Sequence, residues 1–236
     1  MSTNPHEDRA FLSQADTAFL SKAEIIDWEA GRTFSTDWAA HHFFAWAELL
    51  APLRHRPVRI LEIGSWEGRS ALFFLNYLPL SRIVCIDPFA GNAEHHRDPY
   101  FADLARKSER QFDANLAAFA PRIDKIKGLS SEVLPELALT GRRFDLAYID
   151  GSHMAADVYR DATLTWSLMA NAGIVIFDDY EWEMMPTERE RPKPGIDAFL
   201  AAHAGQYREL HRGYQIAIER RGGSTDLCRH DAFTGP

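Results

Sequence analysis

The chain has 236 residues, 46% of them hydrophobic and 25% charged, with a formal charge of −8. That is enough apolar mass for one sizeable core plus extensions, while the acidic balance argues against nucleic acid or an anionic membrane as partner. With only two cysteines, no basic-then-apolar leader and no apolar run long enough to span a bilayer, the sequence excludes a disulfide framework and points to a cytoplasmic protein.

Residues 1–10 read as frayed. Apolar positions at Phe11, Leu12, Ala15, Phe19, Ala23 and Ile26 then follow helical spacing up to the break at Gly31. This sets residues 1–34 apart as an N-terminal helical extension, whose apolar face hints at a homo-oligomer. Ser35 or Thr36 suits an N-cap, and residues 38–50 read as an amphipathic helix stopped near Pro52. A strand over 58–63 leads into Gly64-Ser65-Trp66-Glu67-Gly68, and residues 69–78 are apolar and helical. The next strand, 82–87, ends in Asp87 and is closed by Pro88; its Cys85 reads as core. After a polar stretch containing His95, His96 and Arg97, read as a solvated loop, residues 101–119 are helical and 123–127 form a third strand. Ser131, with Pro135 placed in its first turn, starts a short helix.

Phe144 to Ile149 is a buried strand opening onto Asp150-Gly151-Ser152-His153. A helix over 155–170 follows, then a strand over 173–177 that runs into Asp178-Asp179. A proline-marked loop, a helix over 196–203 and an antiparallel hairpin (207–210 with 214–220) complete a domain over 35–221; residues 222–236 read as a flexible tail. Alternating strands and helices predict an α/β, Rossmann-like, doubly wound and mostly parallel seven-stranded sheet with a C-terminal antiparallel hairpin.

Two constellations carry chemistry. The first is Glu62-x-Gly64-x-x-x-Gly68 between a strand and a helix, with Asp87 nineteen residues beyond Gly68. Small residues there let backbone N–H groups approach an anionic ligand, and the acid can accept ribose hydroxyls. Trp66 stands where a dinucleotide fingerprint has its second glycine, which disfavours an oxidoreductase. The second is Asp150, Asp178 and Asp179, three hard oxygen donors that suit Mg²⁺, with Mn²⁺ or Ca²⁺ as alternatives. His153, three residues after Asp150 and one helical turn along if the chain bends into a helix there, is placed to accept a hydroxyl proton near neutral pH. Tyr180 and Trp182 follow the acid pair as candidate walls of an acceptor pocket, and Trp38 can either reach the ligand or pack.

The glycine motif resembles motif I of class I S-adenosylmethionine-dependent methyltransferases, in the form used by metal-dependent O-methyltransferases. The resemblance covers about residues 58–180. It implies Glu62, Gly64, Ser65, Trp66, Gly68 and Ser70 around the methionine part of S-adenosylmethionine, Asp87 on the ribose, Ser130 or Ser131 near the adenine, and Asp150 at the cofactor's border. The second constellation resembles catechol-type enzymes, which carry Lys and Asn where this chain has His153 and Asp179. Asp150-Gly151-Ser152-His153 with a following acid pair is closer to the macrocin and mycinamicin sugar O-methyltransferase branch. The function so implied is a metal-assisted O-methyltransferase acting on a small hydroxylated substrate, a sugar or polyol of a natural product or glycan. The competing readings are a metal-independent N- or C-methyltransferase and a non-catalytic S-adenosylmethionine-binding module.

Overall fold

The computed structural model describes residue 17 and residues 19–222. The readings for residues 1–10, for Phe11, Leu12 and Ala15, for Cys228 and for almost all of the tail lie outside the described residues. Chain order runs α1 (Lys22–Glu29), α2 (Phe43–Leu50), β1 (Arg59–Ile63), α3 (Arg69–Tyr77), β2 (Arg82–Asp87), α4 (Pro99–Leu116) and β3 (Ile123–Lys127). It continues with α5 (Ser130–Leu139), β4 (Phe144–Ile149), α6 (Ala155–Leu168), β5 (Met169–Phe177), α7 (Pro192–Ala202), β6 (Tyr207–Arg212) and β7 (Ile216–Arg220).

The seven strands form one sheet in the order β3-β2-β1-β4-β5-β7-β6. β1 to β5 pair in parallel, and β7 joins β5 and β6 antiparallel. The chain winds outward from β1 to β3 and then returns to place β4 on the other side of β1. The crevice at that reversal opens beyond the C-terminal ends of the parallel strands, where such sheets bind ligands. Both faces of the sheet are covered, so the central strands read as continuous apolar runs. Ile60, Ile83, Leu146, Tyr148 and Ile176 face a core with Phe43, Trp46, Phe73 and Phe74 from α2 and α3. The alternate residues Leu61, Ile63, Val84, Ala147, Ile149 and Val175 face α5, α6 and α7 through Leu134, Trp166 and Phe199. Among the described residues no helix is long and apolar enough to cross a membrane.

Several local expectations shift. Helix α1 starts only at Lys22, behind a capping box in which Ser21 and Glu24 exchange hydrogen bonds. Ser35 and Thr36 do not cap a helix over 38–50. Ser35 donates instead to Glu67, Asp37 accepts from Ala40 N at 3.0 Å, and a short 3₁₀ turn (Ala40–His42) precedes α2. Pro135 lies in the second turn of α5, which begins at Ser130. Strand β5 begins at Met169, four residues early, because Met169 pairs with Phe144; the register shift beside it is taken up where Ala172 has a φ of 57°. Residues 150–153 form no helical turn: α6 starts at Ala155, so His153 is set by its contacts rather than by helical spacing. The stretch around His95 is a 3₁₀ turn (His95–Arg97), and His95 itself packs against Trp38 and Trp66 instead of lying in solvent.

Candidate active site

The glycine turn leaves β1 and enters α3 under heavy constraint. Gly64 has a φ of 82°, and a Cβ there would lie 1.9 Å from the Asp150 carbonyl oxygen. The turn after β1 is thus pressed against the backbone that follows β4, and only glycine permits that approach. The N–H groups of Ser65 and Trp66 donate to Asp87 Oδ2 at 2.7 and 2.8 Å, and Phe89 N donates to Oδ1 at 2.5 Å. Two of the donors expected to meet a ligand are therefore held by the chain's own carboxylate, which fixes the shape of the turn. Beneath it, fully buried Glu62 accepts from Ser65 Oγ and Ser70 Oγ. Burial pushes the Glu62 carboxyl up to about 7, against the lowering effect of those hydroxyls.

Trp66 has a φ of 46°, and its buried indole N–H has no partner. Its ring lies 5.5 Å from Trp38 and 5.1 Å from His95, so Trp38 closes over the turn as part of an aromatic cluster. Further along the same strand ends, Ser130 at the start of α5 donates to Asp161 Oδ1 at 2.7 Å, while Ser131 occupies the next position of that helix.

At the ends of β4 and β5 the acids divide into two groups. Asp150, His153 and Asp179 each offer a ligand atom, all within 4.8 Å of one another. Asp179 has a φ of 58°, a left-handed conformation that costs on the order of 1 kcal/mol and concentrates at functional sites. Its Oδ2 lies 2.9 Å from His153 Nε2, and its Oδ1 accepts from Tyr214 at 2.8 Å. Asp178 stands outside this trio. Its carboxylate takes the Asp179 N–H at 2.7 Å and a short bond from the buried Tyr148 hydroxyl, which also lies 3.1 Å from Asp150 Oδ2. Trp182 does reach the site, 4.5 Å from the His153 ring, whereas Tyr180 is buried and bonded to Asp197.

The crowding moves protonation equilibria. Burial, then the charges of Asp178 and Asp179, push Asp150 well above the usual carboxylate range. Burial and Asp179 likewise raise Asp178 to about 7. Burial disfavours charge on His153, but contacts with Asp179 and Glu94 outweigh it and hold the imidazole well above its ordinary value. An excess of acids around one imidazole calls for additional positive charge.

Residues 61–180, half of the chain, match the family model for a methyltransferase domain. The chain belongs to the methyltransferase-domain family. O-methyltransferase hkm8 of Aspergillus hancockii is 30% identical over 137 residues, 57% of this chain and 47% of that protein. Uncharacterized protein R132 of Acanthamoeba polyphaga mimivirus is 25% identical over 155 residues, 64% of this chain and 62% of its own length. The chain thus spans about half to three-fifths of these curated relatives. Among solved structures, the O-methyltransferase TomG from Streptomyces achromogenes, in complex with SAM, aligns at a TM-score of 0.61 and 20% identity, covering 92% of this chain and 96% of that one. MycE from the mycinamycin biosynthetic pathway, with Mg, SAH and mycinamycin VI, aligns at 0.58 and 18%, covering 86% and 56%. These likenesses establish the fold, and several kinds of O-methyltransferase share it about equally, so no single branch stands out.

Sequence reasoning missed four residues that shape the site. Glu94 Oε1 approaches His153 Nδ1 at 2.7 Å, an ion pair off the linear hydrogen-bond direction. Burial would raise Glu94, but His153 outweighs it and holds the carboxyl at about 2. Tyr148 and Tyr214 orient the acids. His42, from the turn before α2, aims an unpartnered Nε2 to 3.9 Å from Asp178 Oδ1; burial, then the neighbouring His41, lowers its pKa to about 3. None follows a local motif. The only available signal was the acidic neighbour of His95.

Proposed function

We propose that the protein is an S-adenosylmethionine-dependent O-methyltransferase that uses a divalent cation to act on a hydroxyl of a small molecule, a sugar or polyol of a natural product or glycan. One observation carries the reading: the glycine turn and the acid–imidazole trio are in direct backbone contact, with Gly64 against Asp150. A methyl donor seated on the turn would therefore lie beside the acids. The donor set also fits a cation, since two carboxylates and an imidazole converge within 4.8 Å of one another. When bound, S-adenosylmethionine supplies an activated methyl group and the divalent ion supplies charge that acidifies a hydroxyl.

The chain's own residues do the rest. Asp150 and Asp179 converge with His153 at the crevice, with Asp178 held apart from them by Tyr148. Tyr214 holds Asp179, and Trp182 limits the swing of His153. His153 lies beside the two acids, its Nε2 2.9 Å from Asp179 Oδ2. Alignment of donor and acceptor in one crevice supplies the larger part of the rate gain. Hydroxyl chemistry is supported by the O-methyltransferase among the curated relatives. The sugar or polyol class is supported by Asp150-Gly151-Ser152-His153, and a natural-product acceptor by the likeness to MycE, solved with mycinamycin VI.

The test is methyl transfer from labelled S-adenosylmethionine to a panel of glycosides, polyols and catechols, with and without EDTA. Transfer to oxygen that EDTA abolishes and a divalent ion restores is the expected result. Transfer unaffected by EDTA, or transfer to nitrogen or carbon only, would contradict the reading.

A further inference from the structure

We infer that His153 is itself a ligand of the cation, held in place by Glu94, and that the site therefore prefers Mn²⁺ to Mg²⁺. This rests on the reading that the crevice takes a divalent ion and specifies which residues hold it.

Three observations lead there. First, the atoms that converge are Asp150, His153 and Asp179, not three acids. His153 Nε2 lies 2.9 Å from Asp179 Oδ2 and 4.0 Å from Asp150 Oδ1, so the imidazole already points between them. Second, Asp178, the remaining acid, is engaged elsewhere by Tyr148 and by the Asp179 backbone N–H. Third, the far side of the ring meets a carboxylate: Glu94 Oε1 is 2.7 Å from Nδ1, with only 15% and 16% of the two side chains exposed.

A carboxylate behind a histidine is the usual support of a metal-binding imidazole. Such a carboxylate orients the ring so that the other nitrogen turns toward the ion, here through a close charge contact off the hydrogen-bond direction. The segment that brings Glu94 is itself pinned across the site. Asn92 Nδ2 donates to the Gly151 carbonyl at 2.8 Å, Asn92 N donates to His95 Nδ1 at 3.0 Å, and His95 stacks on Trp38. On the other side, Trp182 at 4.5 Å restricts the ring. Glu94 is thus a positioning residue acting through His153. A donor set of two carboxylate oxygens and one imidazole nitrogen suits first-row transition ions, whereas Mg²⁺ favours oxygen alone.

The experiment titrates the full-length, metal-free protein with Mn²⁺. Binding is followed by the electron paramagnetic resonance of the free ion, and the bound ion is examined by spin-echo modulation for a directly coordinated nitrogen. The wild type should bind one Mn²⁺ per chain with ¹⁴N coupling, at least about tenfold more tightly than Mg²⁺ in competition. His153→Gln should lose the nitrogen signal and most of that preference. Glu94→Gln should retain the nitrogen signal and weaken Mn²⁺ roughly tenfold or more. Mn²⁺ bound without nitrogen coupling would overturn the ligand assignment and leave metal-assisted transfer standing. Failure to bind either ion would overturn both. The wild-type signal decides the assignment even where a variant fails to fold, and unfolding midpoints within a few degrees of wild type validate the variant affinities.

Discussion

At the residue scale, Gly64 carries the heaviest constraint in the site. Its left-handed φ and the 1.9 Å approach to the Asp150 carbonyl leave no space for a side chain. Gly64→Ala must push β1's exit away from β4's, combining overpacking with backbone strain on the order of 3 kcal/mol. Urea denaturation should report that loss, and calorimetry should show S-adenosylhomocysteine binding weakened further still, because the turn that shifts is the proposed donor seat. A variant of wild-type stability would mean that the contact is not maintained in solution. The residue scale is also where the sequence was least legible. Asp87, Asp150 and His153 announced themselves by following apolar runs. Glu94, Tyr148, Tyr214 and His42 gave no such signal, since each meets a partner 59, 30, 35 and 136 positions away that only the fold brings near, Tyr148 reaching Asp150 as well.

At the scale of elements, the segment before β1 is tied to the glycine turn rather than appended to the domain. Arg69, the first residue of α3, binds Glu29 of α1 at 2.7 and 3.0 Å and Asp37 at 2.8 Å. Glu67 in the turn accepts from Ser35, and Asn115 of α4 bonds the carbonyls of both Thr33 and Glu67 at 2.9 Å. Arg69→Ala removes the guanidinium shared by two partly buried carboxylates, a loss of about 1–3 kcal/mol. Limited proteolysis of the variant should cut within residues 30–38 faster than in wild type; equal rates would show that the arm is held by its apolar contacts alone. Apolar periodicity made the strands and most helices legible, with β2, β3 and β4 found to the residue. It failed where polar partners decide: the cap expected at Ser35 is absent because Glu67 outcompetes it. The early start of β5 was hidden because Met169 pairs with Phe144 across a register shift that the positive φ of Ala172 accompanies.

Across the whole molecule, two acids are buried under the crevice without a cationic partner among the bonds that hold them. Burial raises Asp161 from 3.8 to about 6, against the Ser130 hydroxyl, and raises Glu62 from 4.5 to about 7. Because the folded-state pKa values exceed the unfolded ones, the native state binds the extra protons. Stability is unaffected by these groups below pH about 4 and falls as pH rises through the folded values. Asp161→Asn, which still accepts from Ser130, should therefore gain on wild type between pH 4 and 7. The gain should approach on the order of 2–3 kcal/mol in chemical denaturation. A difference that is flat with pH would place the Asp161 carboxyl in contact with water.

The whole-molecule claim on which the functional account depends is that one crevice, at the reversal between β1 and β4, holds both the methyl donor and the cation. A crystal soaked with S-adenosylhomocysteine and Mn²⁺, with anomalous differences recorded at the manganese edge, tests it most directly. The account predicts one manganese peak bounded by Asp150, His153 and Asp179, with the cofactor's thioether sulfur beside the turn at residues 64–68. A manganese peak elsewhere, or a cofactor bound away from that turn, would contradict it.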